Sequence, residues 1–162
     1  MIVTLPRRVS YLTGEARVPQ ESPVYRLSPV KNGLIVYNGA NRAVAQVFKN
    51  EEKVSVTIAD SGCVVLKRGD NGIYFEMPEM EKGEPVPDEK KARSFDSEFV
   101  FFGDVKTAQY KIFRRKKGRV KPSLLAQAVA HPIKDKLVNV FIPDGQNVLL
   151  AIVLCLAAGY FE

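Results

Sequence analysis

Along the first two-thirds of the chain, short apolar runs alternate with turn residues. The segment 53–59 is the clearest case: Val54, Val56 and Ile58 alternate with Ser55 and Thr57, the period-2 pattern of a half-buried strand. Segments 3–9 and 24–27 read as extended pieces punctuated by Pro6, Pro19, Pro23 and Pro29. Segments 34–37 and 43–48 flank Asn38-Gly39-Ala40-Asn41, a hairpin signal with Asn and Gly placed for positive φ. Asp60-Ser61-Gly62 turns into 63–67, and Arg68-Gly69-Asp70-Asn71-Gly72 turns into 73–77. Strand, tight turn and strand recur four times over, which predicts an up-and-down sheet or barrel. The segment 78–93 differs: Pro78, Gly83, Pro85 and Pro87 stand among Glu and Lys without periodicity. It predicts a long loop inside one domain rather than a domain boundary. Segments 95–102 and 108–113 resume the sheet, and 114–119 reads as a charged hairpin tip at Lys117-Gly118. The segment 123–130 fits either a helical turn or a strand, and 137–142 is a strand leading into Pro143-Asp144-Gly145. The total expected is ten to twelve strands.

The last residues break this rhythm. Eleven consecutive apolar residues run from Val148 to Ala158, and only Val148, Ile152 and Val153 are β-branched, so the run favours helix. Asp144 or Asn147 can cap its start and Gly159 offers a stop. A helix apolar on every side has to be enclosed on every side. As a helix, 148–161 spans about 21 Å, short of the roughly 30 Å hydrocarbon core of a bilayer. The segment is therefore expected to be wrapped by protein, with Leu150, Val153, Leu154 and Ala157 buried. A membrane tail anchor is the alternative, weakened by this shortness and by the lack of a flanking basic cluster.

Composition narrows the class. The chain has 162 residues, 46% hydrophobic and 26% charged, ordinary values for one globular domain. Its two cysteines, Cys63 and Cys155, read as buried small hydrophobes rather than a redox or metal pair. Pro6, Arg7 and Arg8 interrupt the apolar opening, and no N-x-S/T sequon occurs; the expected location is the cytoplasm, with a peripheral association at a membrane. Charge is uneven. Between Val105 and Lys134 lie nine Lys or Arg and no Asp or Glu, so of the net +6 the remaining residues carry −3. Basicity belongs to one stretch.

Two segments resemble a known group. Residues 141–162, FIPDGQNVLLAIVLCLAAGYFE, resemble the strand, acidic turn and apolar helix that end the tubby C-terminal-like superfamily, which includes LURP-one-related proteins and phospholipid scramblases. Cys155 within the helix and the aromatic-Glu ending are scramblase-like. Residues 110–120, YKIFRRKKGRV, are similar to the penultimate hairpin of LURP-one-related chains. The resemblance implies a single domain over 1–162, an all-β closed antiparallel barrel of about twelve strands around the C-terminal helix. It also implies basic side chains where phosphoinositide head groups bind. Ala158-Gly159 stands where scramblases carry an acidic residue, so calcium-dependent scrambling is not implied.

Candidate chemistry is sparse. His131 is the only histidine and precedes Pro132; it has no Cys, Ser or carboxylate partner at a recognisable spacing, so it reads as a turn residue. No CxxC, HExxH, GxSxG or phosphate-binding glycine loop occurs. The Arg68-Gly69-Asp70 tripeptide is read as a coincidence of turn chemistry. The expectation is a non-enzymatic binding or scaffold domain without metal or organic cofactor, the enzyme alternative being a hydrolase or transferase site around His131. The basic stretch carries the functional expectation: Lys106, Lys111, Arg114, Arg115, Lys116, Lys117, Arg119 and Lys121 cluster around one hairpin. Strand alternation sets Lys111, Arg115 and Lys117 on one face and Arg114 and Lys116 on the other. Such a cluster attracts anionic membrane at about 1 kcal/mol per residue. The same charge also suits nucleic-acid phosphates, but Tyr110 and Phe113 are the only nearby candidates for base stacking, and Phe113 reads as core. The leading expectation is an anionic lipid surface, nucleic acid is second, and a purely structural hairpin tip is the plain alternative.

Overall fold

The computed structural model describes residues 1–18, 25–59, 61–69, 72–76, 97–116, 118 and 121–161. Its strands are β1 (Ile2–Pro6), β2 (Ala16–Val18), β3 (Tyr25–Val30), β4 (Gly33–Tyr37), β5 (Ala43–Asn50) and β6 (Lys53–Ile58). They continue with β7 (Gly62–Gly69), β8 (Gly72–Glu76), β9 (Ser97–Asp104), β10 (Gln109–Lys116), β11 (Ser123–Ala130) and β12 (Leu137–Phe141), and the one α-helix among the described residues, α1, is Val148–Ala158. These strands form two antiparallel sheets. The larger runs β2-β3-β4-β5-β6-β7-β8 in chain order, and the smaller runs β1-β12-β11-β10-β9. The up-and-down reading holds throughout the larger sheet. The smaller sheet is a meander from β9 to β12, closed at its edge by the N-terminal strand.

Local chemistry accounts for several joints. Asn38 Oδ1 accepts from the Ala40 and Arg42 N–H groups at 3.0 Å each, an Asx-type turn. The positive φ of that turn belongs to Asn41, at 60°, and not to Gly39, whose φ lies outside that region. Asn32 and Glu51 also take φ of 62° and 55° in the β3–β4 and β5–β6 turns. Pro29 lies in β3 beyond the reach of β2, which pairs only with Tyr25, Arg26 and Leu27. No ladder bond is lost there. Pro6 likewise ends an edge strand.

The helix is where the apolar pattern places it. Asn147 caps α1, its Oδ1 accepting from Leu150 N at 3.1 Å, and every residue from Leu150 to Ala158 is buried. α1 packs against β5 and β6 of the larger sheet and β1 and β11 of the smaller one. Enclosure by protein on all sides is thus explicit, and no helix among the described residues is long and apolar enough to cross a membrane. Cys155 and Cys63 are both buried and neither is in a disulfide; burial pushes the Cys155 thiol up to about 12, which suits a packing role.

Several expectations are refined. Gly159 is the C-cap that ends the helix, as expected, with right-handed φ and ψ of −59° and −22°, and the chain continues as a 3-10 turn, Gly159–Phe161. The early segment 3–9 stops being strand at Pro6, and Val9 opens a second 3-10 turn, Val9–Tyr11. Residues 123–130 are strand. The short β2 was not anticipated. The expected loop at 78–93 lies outside the described residues.

Candidate anion-docking surface

β10 carries four of the eight predicted cations, and it runs antiparallel to α1. Near its start, the Tyr110 hydroxyl donates to the Cys155 carbonyl at 3.4 Å. Near its far end, Ser123 on β11 is bonded by Gln146 at 3.2 Å, just before the helix cap. The eight residues of β10 span about 23 Å, so the predicted cations form a line rather than a knot.

Each occupies a different environment. Lys106 sits in the β9–β10 turn, its N–H bonded to Asp104 Oδ1 at 2.9 Å, while its carbonyl accepts from Arg7 Nη2 at 2.7 Å. Lys111 lies mid-strand, exposed, opposite Phe102 on β9 and Gln127 on β11. Arg114 turns inward and is partly buried; its Nε donates to Ser97 Oγ at 2.8 Å, and Ser97 is only 2% exposed. Arg115 forms a cross-strand ion pair with Glu98. Lys116 ends β10, and Lys121 follows the turn, both exposed. Lys117 and Arg119 lie outside the described residues. Arg114, Arg115 and Lys116 therefore belong to the strand rather than to the hairpin tip, and Arg114 serves the fold. Lys111, Lys116 and Lys121 have no ion pair or side-chain hydrogen bond among the described residues.

The aromatic residues reverse their expected places. Tyr110 is buried, stacked on Phe101 with ring centroids 4.9 Å apart. Phe113 lies on the outer face, edge-on to Phe102 at 5.7 Å, and Phe102 is 59% exposed. The parity of β10 decides this: Tyr110, Ile112 and Arg114 face inward, Lys111, Phe113 and Arg115 outward. Each set holds apolar and charged members, so alternation alone leaves the parity open. The signal available in the sequence was β9, where Val100 and Phe102 alternate with Phe99 and Phe101. A strand apolar at four consecutive positions must expose two of them or be covered on both faces.

Away from this surface, His131 Nδ1 accepts from the Ile133 and Lys134 N–H groups at 3.1 and 3.0 Å, holding the β11–β12 turn. A groove of about 760 Å³ lies beside the helix C-terminus, lined by Arg8, Leu12, Asn32, Lys49, Glu51 and Tyr160 among others. Its charges are of both signs. Burial raises the Tyr160 hydroxyl to about 12.

No family model and no curated protein matches the sequence. In fold, the chain is similar to an X-ray structure of a protein from Arabidopsis thaliana. The two align with a TM-score of 0.51 over 99% of this chain and 92% of the other, at 10% sequence identity. The likeness is one of fold, and it assigns no role to any residue of β10.

Proposed function

We propose that this chain is a non-enzymatic docking or scaffold domain of the tubby-like, LURP-one-related kind, which holds acidic lipid head groups at the cytoplasmic face of a membrane through β10 and its neighbours. The observation that carries the reading is the one-sided charge: no acidic residue from Val105 to Lys134, with Lys111, Lys116 and Lys121 exposed and without a carboxylate partner among the described residues. Arg115 adds a cation shared with Glu98, and Lys106 extends the line towards the opposite end. The fold reading is that the two sheets are halves of one barrel around α1. Phe75 on β8 lies 5.6 Å from Phe99 on β9, which supports closure of one seam by side-chain packing. Catalysis is not part of the proposal, because the only imidazole uses its Nδ1 lone pair on two backbone N–H groups.

Sedimentation with phosphatidylserine–phosphatidylcholine vesicles tests it. Binding is expected at low salt and should fade as the Debye length falls from about 10 Å at 0.1 M to about 3 Å at 1 M. Lys111→Gln, Lys116→Gln and Lys121→Gln should each weaken it by about 1 kcal/mol while leaving the fold intact. Equal binding to pure phosphatidylcholine, or none at low salt, would sink the reading. Retention of duplex DNA in its place would transfer the basic surface to nucleic acid.

A further inference from the structure

The outer face of an antiparallel sheet is ordinarily its polar side, and here it is not. One cross-strand row passes through all five strands of the smaller sheet: Ile2 on β1 opposite Phe141 on β12, Phe141 opposite Gln127 on β11, Gln127 opposite Lys111 on β10, and Lys111 opposite Phe102 on β9. Ile2 is 70% exposed, Phe102 59% and Phe141 43%. The next row on the basic side sets Val100, itself exposed, opposite Phe113 and Phe113 opposite Leu124. Four inter-strand spacings make this face about 19 Å wide. It is apolar at both edges, with Lys111 between and the Arg115–Glu98 ion pair beyond its end.

We infer that this face is a membrane-inserting surface: Phe102, Phe113, Val100, Phe141 and Ile2 enter the interfacial region of an anionic bilayer while Lys111 remains at the head groups. The inference rests on the docking reading above and adds to it the part of the protein that leaves water. Charge selects the occupant. A second copy related by a two-fold axis would set the same patch against itself, bringing Lys111 and its cationic neighbours against their own counterparts in a drying seam, where like charges are disfavoured. An anionic bilayer offers the opposite charge at the surface and an apolar phase just beneath it. Phe rings suit that boundary, and the four-carbon stem of Lys111 can lie along them while its ammonium reaches phosphate. Base stacking fits less well, since the Phe102 and Phe113 rings meet edge to face at an interplanar angle of 82° and their neighbours are aliphatic.

The chain contains no tryptophan, so Phe102→Trp creates a sole reporter on the face, and Tyr74→Trp on β8 gives one on the other sheet. Both positions are exposed, and neither change disturbs the core. With phosphatidylserine–phosphatidylcholine vesicles, emission from the Phe102→Trp protein is expected to shift to the blue and to be quenched by brominated acyl chains, while the Tyr74→Trp protein stays unchanged. Phe102→Ser should lower partitioning about tenfold, the loss for withdrawing one aromatic side chain from an apolar phase, and the deficit should persist at high salt. If vesicles bind with full salt sensitivity while the reporter is silent and Phe102→Ser binds like wild type, head-group docking stands and insertion is overturned. If no vesicle binds, the docking reading falls and insertion falls with it. A reporter that responds to protein concentration alone makes the face a seam between copies, and one that responds to oligothymidine but not to vesicles makes it a nucleic-acid surface; either result overturns the inference.

Discussion

At Gly159 the backbone is right-handed and open to any residue, yet the position has no room for one. A Cβ there would lie 2.3 Å from the carbonyl oxygen of Arg7 and 3.3 Å from its carbonyl carbon, where backbone and not a flexible side chain would have to give way. The close approach lets the segment after β1 lie directly on the end of α1. Gly159→Ala is therefore expected to lower stability by about 1–3 kcal/mol through overpacking, although alanine is the better helix former. A urea midpoint equal to wild type would show that the Arg7 backbone shifts freely. Asn147 and Gly159 mark what is readable at this scale. The cap acts within three residues, on Leu150 N, and a local rule finds it. The demand for glycine at 159 comes from a residue near the opposite end of the chain, so a local rule finds the stop there but not the reason that it must be glycine.

At the scale of the element, β10 sorts its own cations into structural and available ones. Alternation places Arg114 and Lys116 on the same side of the strand, but Arg114 lies over the sheet, where the nearly inaccessible Ser97 accepts from it, while Lys116 has reached the strand end and water. Arg114→Ala removes a charge-assisted bond in a sheltered place and is expected to cost about 1–3 kcal/mol; Lys116→Ser should change stability by less than about 0.5 kcal/mol. Thermal melts of the two variants side by side decide the matter, and equal melting temperatures would mean that Arg114 is as free as Lys116. This is also why a blanket replacement of the basic residues would confound a binding assay with unfolding. The strand was legible as a strand, and the basic run as a run. Which face each side chain takes was not, because both parities of the 110–115 segment pair aromatic or aliphatic residues with cations. Only the partner strand resolves that choice, so the aromatic half of the candidate surface stayed hidden while its charged half stood in plain view.

At the scale of the molecule, the smaller sheet and the larger one share α1 as their common core. The all-round apolarity of 148–158 made its enclosure legible, since a helix without a polar face has no stable position at a surface. The division of the twelve described strands into five and seven was not legible, because β1 joins β12 from the far end of the chain and no local pattern announces that pairing. The helix contributes buried side chains to both sheets, among them Leu150, Ile152, Leu154 and Leu156, each no more than 2% exposed. Leu154→Ala should cost about 2–5 kcal/mol, the range for emptying a well-packed leucine site. Removal of the whole helix is a different experiment. A chain ending at Gln146 would leave two sheets whose inner faces are apolar and 11 residues of filling missing, a void too large for side chains to close. It should show neither a cooperative melt nor dispersed amide resonances, and it should bind a hydrophobic dye. Addition of the 147–162 peptide in trans should restore cooperativity if the sheets retain any memory of their shared core. A truncated chain that melts cooperatively without the peptide would mean that the sheets pack directly on each other, and that α1 fills a space the fold does not require.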